Sequence, residues 1–211
     1  MSEADTKTRL LDAAEQLFAG NSFHNTSMRA ITGEANANLA AANYHFGSKE
    51  ALLQAVFERR LLPLNQLRRE RLQRVLESAE QAGAAPVVSD LVRAFIEPTL
   101  AFRDRDSGTR AFISLVGRAM VETDSTVRDC FIHLVEPLFR FLFSSLQRAL
   151  PAMPPPVLYT RLQFAMGAMA HTMCAQDRAP LPAGLPTAEI ETGDLAEPLI
   201  DFIRAGLEAP C

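Results

Sequence analysis

The sequence predicts an all-α protein. Apolar residues recur every three or four positions through most of its length, no stretch alternates apolar with polar as a half-buried strand does, and glycine, proline and asparagine gather between the periodic segments. The expected architecture is an N-terminal three-helix unit containing a helix-turn-helix, followed by a larger helical body, with about nine helices in all.

The first helix carries Leu10, Ala13, Ala14, Leu17 and Phe18 on one stripe that closes on Phe23. Thr26 and Ser27 then offer side-chain oxygens to cap a short helix with Met28, Ile31 and Ala35 on one face. Asn36-Ala37-Asn38 ends it: Asn36 tolerates a left-handed backbone and Asn38 caps the next helix. In that helix, LAAANYHF, Ala42 and Phe46 face inward, while Ala40, Ala41, Asn43 and Tyr44 remain outside on a surface narrow enough to approach a groove. Gly47 stops it and Ser48 caps the following helix. Lys49 places a cation where free backbone N–H groups already attract anions. The unit reads as a DNA-binding helix-turn-helix.

From Ala51 the pattern lengthens. Pro63 is expected to kink or split this helix near Leu61, and Arg68, Arg69, Arg71 and Arg74, interleaved with Glu70 and Glu77, read as a solvated face. Residues 83–86 mark a turn. A helix follows over 87–102, with Pro98 demanding a bend or break, then a polar loop over 103–107. Apolar helices are expected over 109–122 and 125–149, the second bent by Pro137. The spacing predicts another over 157–176, where Phe164, Met166, Met169 and Met173 alternate with small residues. A long Pro/Gly-rich loop over 177–193 precedes a closing helix at 195–207.

Composition sets bounds. The 211 residues, 48% hydrophobic, suffice for a substantial core. A net charge of -4 does not advertise a nucleic-acid binder, and residues 1–60 hold six Lys/Arg against seven Asp/Glu. Recognition needs only a local patch, and Asp12 and Glu15 can face away from phosphates. Three scattered cysteines without CxxC spacing suit a reducing cytoplasm. No leader, spanning segment or prenylation context is read, so a soluble cytoplasmic protein is expected. Nucleophile elbow, phosphate loop, zinc helix and dinucleotide fingerprint are all lacking from the sequence, which argues against an enzyme and against a cofactor. His133 and Glu136 are two metal-type ligands without a third.

The stretch TSMRAITGEANANLAAANYHFGSKEALL resembles the N-terminal domain of the TetR family of bacterial one-component transcriptional regulators. The resemblance implies a DNA-binding domain over 1–48 and a helical effector-binding and dimerisation domain over 49–211. It implies that Ser27, Tyr44, His45 and Lys49 touch phosphates of double-stranded DNA, and that Arg29, Leu39, Ala40, Ala41 and Asn43 approach base edges. The amide of Asn43 suits adenine, the Arg29 fork guanine, and the alanine methyls thymine. Two positions depart from the family pattern: Asn43 stands where a tyrosine is commoner, and Asn36-Ala37 where Gly-Val is usual. The turn survives this, but the operator sequence does not follow from it.

The resemblance further implies a homodimer formed by the helices at 157–176 and 194–208, a palindromic operator, and repression relieved by a hydrophobic effector. Phe102, Phe112, Val116, Met120, Phe131, His133, Phe164 and Met169 are the candidate effector-binding residues, with plain core packing an equally good account of any one of them. Arg118, His133, Gln163 and His171 are candidates for a polar head group. NYHFGSKEALLQAVFERRLLPLN resembles more narrowly a subset associated with lipid and fatty-acid metabolism, implying a fatty acid or acyl-CoA. Two alternatives stay open: a redox-responsive regulator acting through Cys130 or Cys174, and a helical lipid-binding protein.

Overall fold

A computed structural model describes residues 3–103, 108–109, 112–113, 115–116, 125–174 and 195–210. Among these, all regular structure is helical, as the periodicity predicts. Eight helices are delimited against the roughly nine expected: α1 (Glu3–Asn21), α2 (Met28–Glu34), α3 (Leu39–Phe46), α4 (Lys49–Gln81), α5 (Val88–Arg103), α6 (Ser125–Ala149), α7 (Pro155–Cys174) and α8 (Ala196–Glu208). The described residues between 108 and 116 are also helical, whereas the expected loop over 177–193 lies outside the described residues. The chain divides into two compact units, one of residues 1–63 and 105–135, the other of residues 64–104 and 136–211.

In the first unit the stripe of α1 is buried as its spacing requires, with Leu10, Ala14 and Phe18 fully inside and Phe18 meeting Phe23 at 5.5 Å between ring centroids. Ile31, Ala35 and Ala42 complete the small three-helix core. Leu52, Leu53, Val56 and Phe57 make the buried face of early α4, and Phe57 packs against Phe112 and Phe131. Such a core favours burial by roughly 1.5–3 kcal/mol per large apolar side chain, the term that holds short helices in place.

Thr26 is a correction to the expected caps. Its hydroxyl donates to the carbonyls of Leu17 (3.2 Å) and Ser22 (2.8 Å), and Ser27 alone caps α2. Thr26 is buried and one residue too early for capping geometry, so its oxygen closes the preceding turn instead. Glu15 also differs from a carboxylate merely turned away from DNA. Its side chain is 2% exposed and receives Arg59 Nη2 at 2.5 Å and Arg60 Nη2 at 2.7 Å, while Asp12 takes Arg59 Nη1.

The prolines neither split α4 nor break α5, since both helices run unbroken through Pro63 and Pro98. Pro63 stands on the exposed side of α4, where the lost ladder bond costs least, and Leu61 and Leu64 stay buried. Beyond Pro63, residue 68 shares the inward row of α4 with Leu64 and Leu72, four positions to either side. Arg68 is therefore 5% exposed, a correction to the solvated face expected of it. Arg69 and Arg74 are exposed and Arg71 is half-buried.

The second unit packs α5, α7 and α8 against one another around Leu91, Ile96, Leu158, Ile200 and Ile203, with Leu72 and Leu146 from α4 and α6 in the same core. α7 begins at Pro155, two residues earlier than expected, because the first turn needs no N–H from it. Arg161 on α7 donates to the carbonyls of Leu207 (3.1 Å) and Pro210 (3.0 Å), satisfying the otherwise orphaned end of α8.

Glu15→Ala would remove the buried carboxylate shared by Arg59 and Arg60 while leaving Arg59 its bond to Asp12. With the partial exposure of both arginines taken into account, a loss of about 2 kcal/mol is expected in urea unfolding, with Glu15→Gln costing less because it keeps acceptor capacity.

Candidate nucleic-acid interface

The turn between α2 and α3 is built by a short set of local bonds. Asn36 adopts φ 45°, the left-handed region asparagine tolerates, and Ala37 N donates to Thr32 O at 2.9 Å. Asn38 Oδ1 accepts from Ala41 N at 2.7 Å, making it the cap of α3. Gly47, at φ 74°, ends α3 with its N–H on Asn43 O, and Ser48 Oγ accepts from Ala51 N to cap α4.

Arg9, which sequence reasoning passed over, holds the turn from α1: its Nη1 donates to the carbonyls of Ala35 (2.9 Å) and Asn36 (3.2 Å). The signal available was only an arginine one position before the α1 stripe; nothing in its spacing points across to residue 35.

With Ala42 buried and Phe46 half-buried against the core, α3 leaves Leu39, Ala40, Asn43 and Tyr44 exposed. At roughly 100° per residue these four share an arc of about 140°, and Ala41 and His45 lie half-buried beyond its Tyr44 edge. Leu39 is 38% and Tyr44 76% exposed, the latter with its ring edge-on to His45 at 5.3 Å. Arg29 and Ser27 are exposed on and beside α2. Eight of the nine sequence-predicted residues thus lie on α2, α3 or their caps.

Lys49 is set apart by its partners. Its Nζ donates to Phe23 O (3.0 Å) and Thr26 O (3.1 Å) and sits 4.2 Å above the Phe23 ring. The ammonium fastens the first turn of α4 to the loop before α2. Next to it, backbone and Ser48 hydrogen bonds hold the exposed Glu50 carboxyl below the ordinary range, as expected for an acid in a helix first turn.

The described candidate effector residues divide between the two units. Phe112, Val116 and Phe131 are buried in the first unit, and Phe102 and Met169 are buried in the second. His133 is exposed on α6 and Phe164 is 71% exposed on α7. Met120 lies outside the described residues, as does the head-group candidate Arg118; Gln163 and His171 are exposed on α7. Cys130 is half-buried, and burial, together with the Glu58 charge, pushes its thiol up to about 11, leaving little thiolate at neutral pH for oxidant chemistry. The side chain of Cys174 is not among those described.

A long surface cleft of about 580 Å³ also runs between late α4 and early α5, lined by Arg71, Arg74, Arg93, Asp90 and Glu97 with alanine walls. Glu97 bridges Arg71 and Arg93, and Arg93 reaches on to Glu197 of α8; these two carboxylates hold the Arg93 guanidinium above its ordinary pKa.

Two family models match the chain. Residues 93–206 match the tetracyclin repressor-like C-terminal domain, and residues 10–56 match the bacterial regulatory proteins of the tetR family. The HTH-type transcriptional regulator UidR of Escherichia coli K12 is 45% identical over 51 residues, which is 24% of this chain and 26% of UidR, so the match spans about a quarter of that relative. Among solved structures, the fatty acid degradation regulator FadR of Bacillus halodurans superposes with a TM-score of 0.70 at 12% identity, covering 96% of each chain. FadR of Bacillus subtilis, solved in complex with stearoyl-CoA, gives 0.64 at 12% identity over 94% of this chain and 98% of its own. PfmR of Thermus thermophilus gives 0.60 at 17% identity over 95% and 99%. At these identities the likeness is one of fold.

Two substitutions test the local geometry. Asn36→Gly removes a strained side chain from a left-handed position and is expected to raise stability by about 0.5–1 kcal/mol in urea unfolding. Lys49→Met leaves two carbonyls without their cation and is expected to cost about 1–2 kcal/mol, with hydrogen exchange rising first in residues 23–30.

Proposed function

The chain belongs to the tetR family of bacterial regulatory proteins, and from that premise we propose that it is a DNA-binding transcriptional repressor that releases a palindromic operator when a hydrophobic small molecule binds. The observation that carries this reading is the exposed arc of α3, on which Leu39, Ala40, Asn43 and Tyr44 stand together behind a capped turn. A helix so bounded, with two small or slender residues at its centre, fits the major groove. Residues 1–48 do the reading; residues 49–211 bind the effector and the second copy.

In this reading Asn43 and Arg29 contact base edges, and Leu39, Ala40 and Ala41 make apolar contacts with them. Ser27, Tyr44 and His45 meet phosphates. Lys49 serves phosphate mainly by fixing the N-terminus of α4, because its ammonium is already engaged. The acidic first helix is no obstacle, since Asp12 and Glu15 are neutralised by Arg59 and Arg60.

Dimerisation through α7 and α8 is supported by Phe164 and Phe202, 71% and 68% exposed on those two helices, apolar surface that a second copy would cover. A two-fold pair doubles the contacts of a short helix that alone discriminates poorly. For the effector, the apolar interiors of both units and the stearoyl-CoA bound to the Bacillus subtilis neighbour support a long aliphatic molecule, a fatty acid or its CoA thioester. It acts by preferring the conformer that misfits the operator, with residues 49–80 transmitting the change. The half-buried, weakly acidic thiol of Cys130 favours this effector over redox control.

Selection of duplexes from a random pool by the purified protein is expected to enrich a palindrome, with affinity falling linearly in log salt. Asn43→Ala should weaken binding to it by about 1–3 kcal/mol per half-site and relax preference at one base position. Absence of enrichment at low salt would refute the regulator.

A further inference from the structure

Arg68 is the most unusual charge among the described residues. It lies on the inward row of α4 between Leu64 and Leu72, 5% exposed, inside the apolar cluster of the second unit. Its Nε donates to Thr99 Oγ1 at 3.0 Å, Nη2 donates to the same hydroxyl, and Nη1 reaches Asn65 Oδ1 at 3.2 Å. The guanidinium carbon sits 4.5 Å from the centre of the Phe95 ring. Thr99 in turn donates to Phe95 O at 3.1 Å.

What is missing among the described residues is a counterion. No described acidic side chain forms an ion pair with Arg68, although Arg71 and Arg93, one and several turns away on the same packed pair of helices, are both paired with Glu97. Burial pushes the Arg68 guanidinium down to about 9, which still leaves it charged at neutral pH. Buried arginines are ordinarily paired with carboxylates, because two neutral oxygens and a ring face return only part of the lost hydration. Five N–H donors share two acceptors here, and a planar fork of this kind matches a carboxylate better than any other group.

We propose that Arg68 is the head-group receptor of the effector site, and that the effector is an aliphatic molecule ending in a free carboxylate, whose two oxygens take the guanidinium fork while its chain packs against apolar neighbours such as Leu72 and Phe95. The proposal rests on the effector reading above and narrows it. One deeply buried cation balances one negative charge. A CoA thioester has no charge at the acyl head, and its phosphates would bring several charges that belong in water. The free acid is thereby preferred over the thioester.

The test is calorimetric titration of the full-length protein, at mildly alkaline pH, with decanoate, 1-decanol and decanoyl-CoA. Wild type is expected to bind decanoate about tenfold or more tightly than either of the others, the difference one charge-assisted pair supplies. Arg68→Met should erase that preference while leaving 1-decanol within about twofold, and without ligand its unfolding midpoint should hold or rise, because an unpaired buried charge has been removed. Arg68→Lys, which keeps the charge but not the fork, should retain part of the preference and serves if the methionine variant does not fold. Equal binding of acid and alcohol by wild type, tighter binding of decanoyl-CoA, or a preference that survives Arg68→Met would overturn the proposal and leave an aliphatic effector standing. Failure of all three probes to bind would remove the aliphatic effector itself, and the role of Arg68 with it.

Discussion

The helix-turn-helix depends on how the first turns of α4 are fastened to it. Helices as short as α2 and α3 cannot hold a defined geometry by propensity alone; they have seven and eight residues, well below what is stable in isolation. Their apolar core is small, and polar clamps complete it. Lys49 ties α4 to the loop before α2, Arg59 and Arg60 converge on the buried Glu15 of α1, and Arg9 closes the carbonyl end of α2. Each clamp places a cation on carbonyl or carboxylate oxygens brought to it from another segment. Together they make α1, α2, α3 and the start of α4 one cooperative piece.

This arrangement resolves the apparent mismatch between an acidic chain and an anionic partner. Net charge counts every ionised group equally, yet the carboxylates of Asp12 and Glu15 are consumed by Arg59 and Arg60 inside the unit. The arc of α3 carries no acid at all: a leucine, an alanine, an asparagine and a tyrosine. Specific contact with bases needs little charge, only close approach and well-placed donors and acceptors. In the proposed reading the positive end of α4, rather than a run of lysines, supplies the local attraction for phosphate.

The second unit uses the same device for another end. Arg161 takes the last carbonyls of α8, and Arg93 with Glu97 and Glu197 joins α5 to α8 across their polar rim. Against that background of satisfied arginines, Arg68 differs in kind, since its acceptors are neutral and its surroundings apolar. A folded chain keeps such a charge only if the rest of the core over-compensates for it.

The helical class, the caps Ser27, Asn38 and Ser48, the left-handed Asn36, the stop at Gly47 and the outward set on α3 were legible in the sequence, because each rests on interactions within four or five residues. Periodicity also placed the long helices to within a few residues. Three things required the tertiary structure. Arg68 looked like one of four solvated arginines until Phe95 and Thr99 of α5 packed over the row it shares with Leu64 and Leu72. Lys49 looked like a free cation until Phe23 and Thr26 brought their carbonyls to it. Arg9 and Glu15 gave no local sign of the partners they reach, which lie 26 to 45 positions away. The physical reason is common to all: short-range sterics and capping are written in neighbouring residues, whereas the partner of a long charged side chain is decided only when distant segments pack.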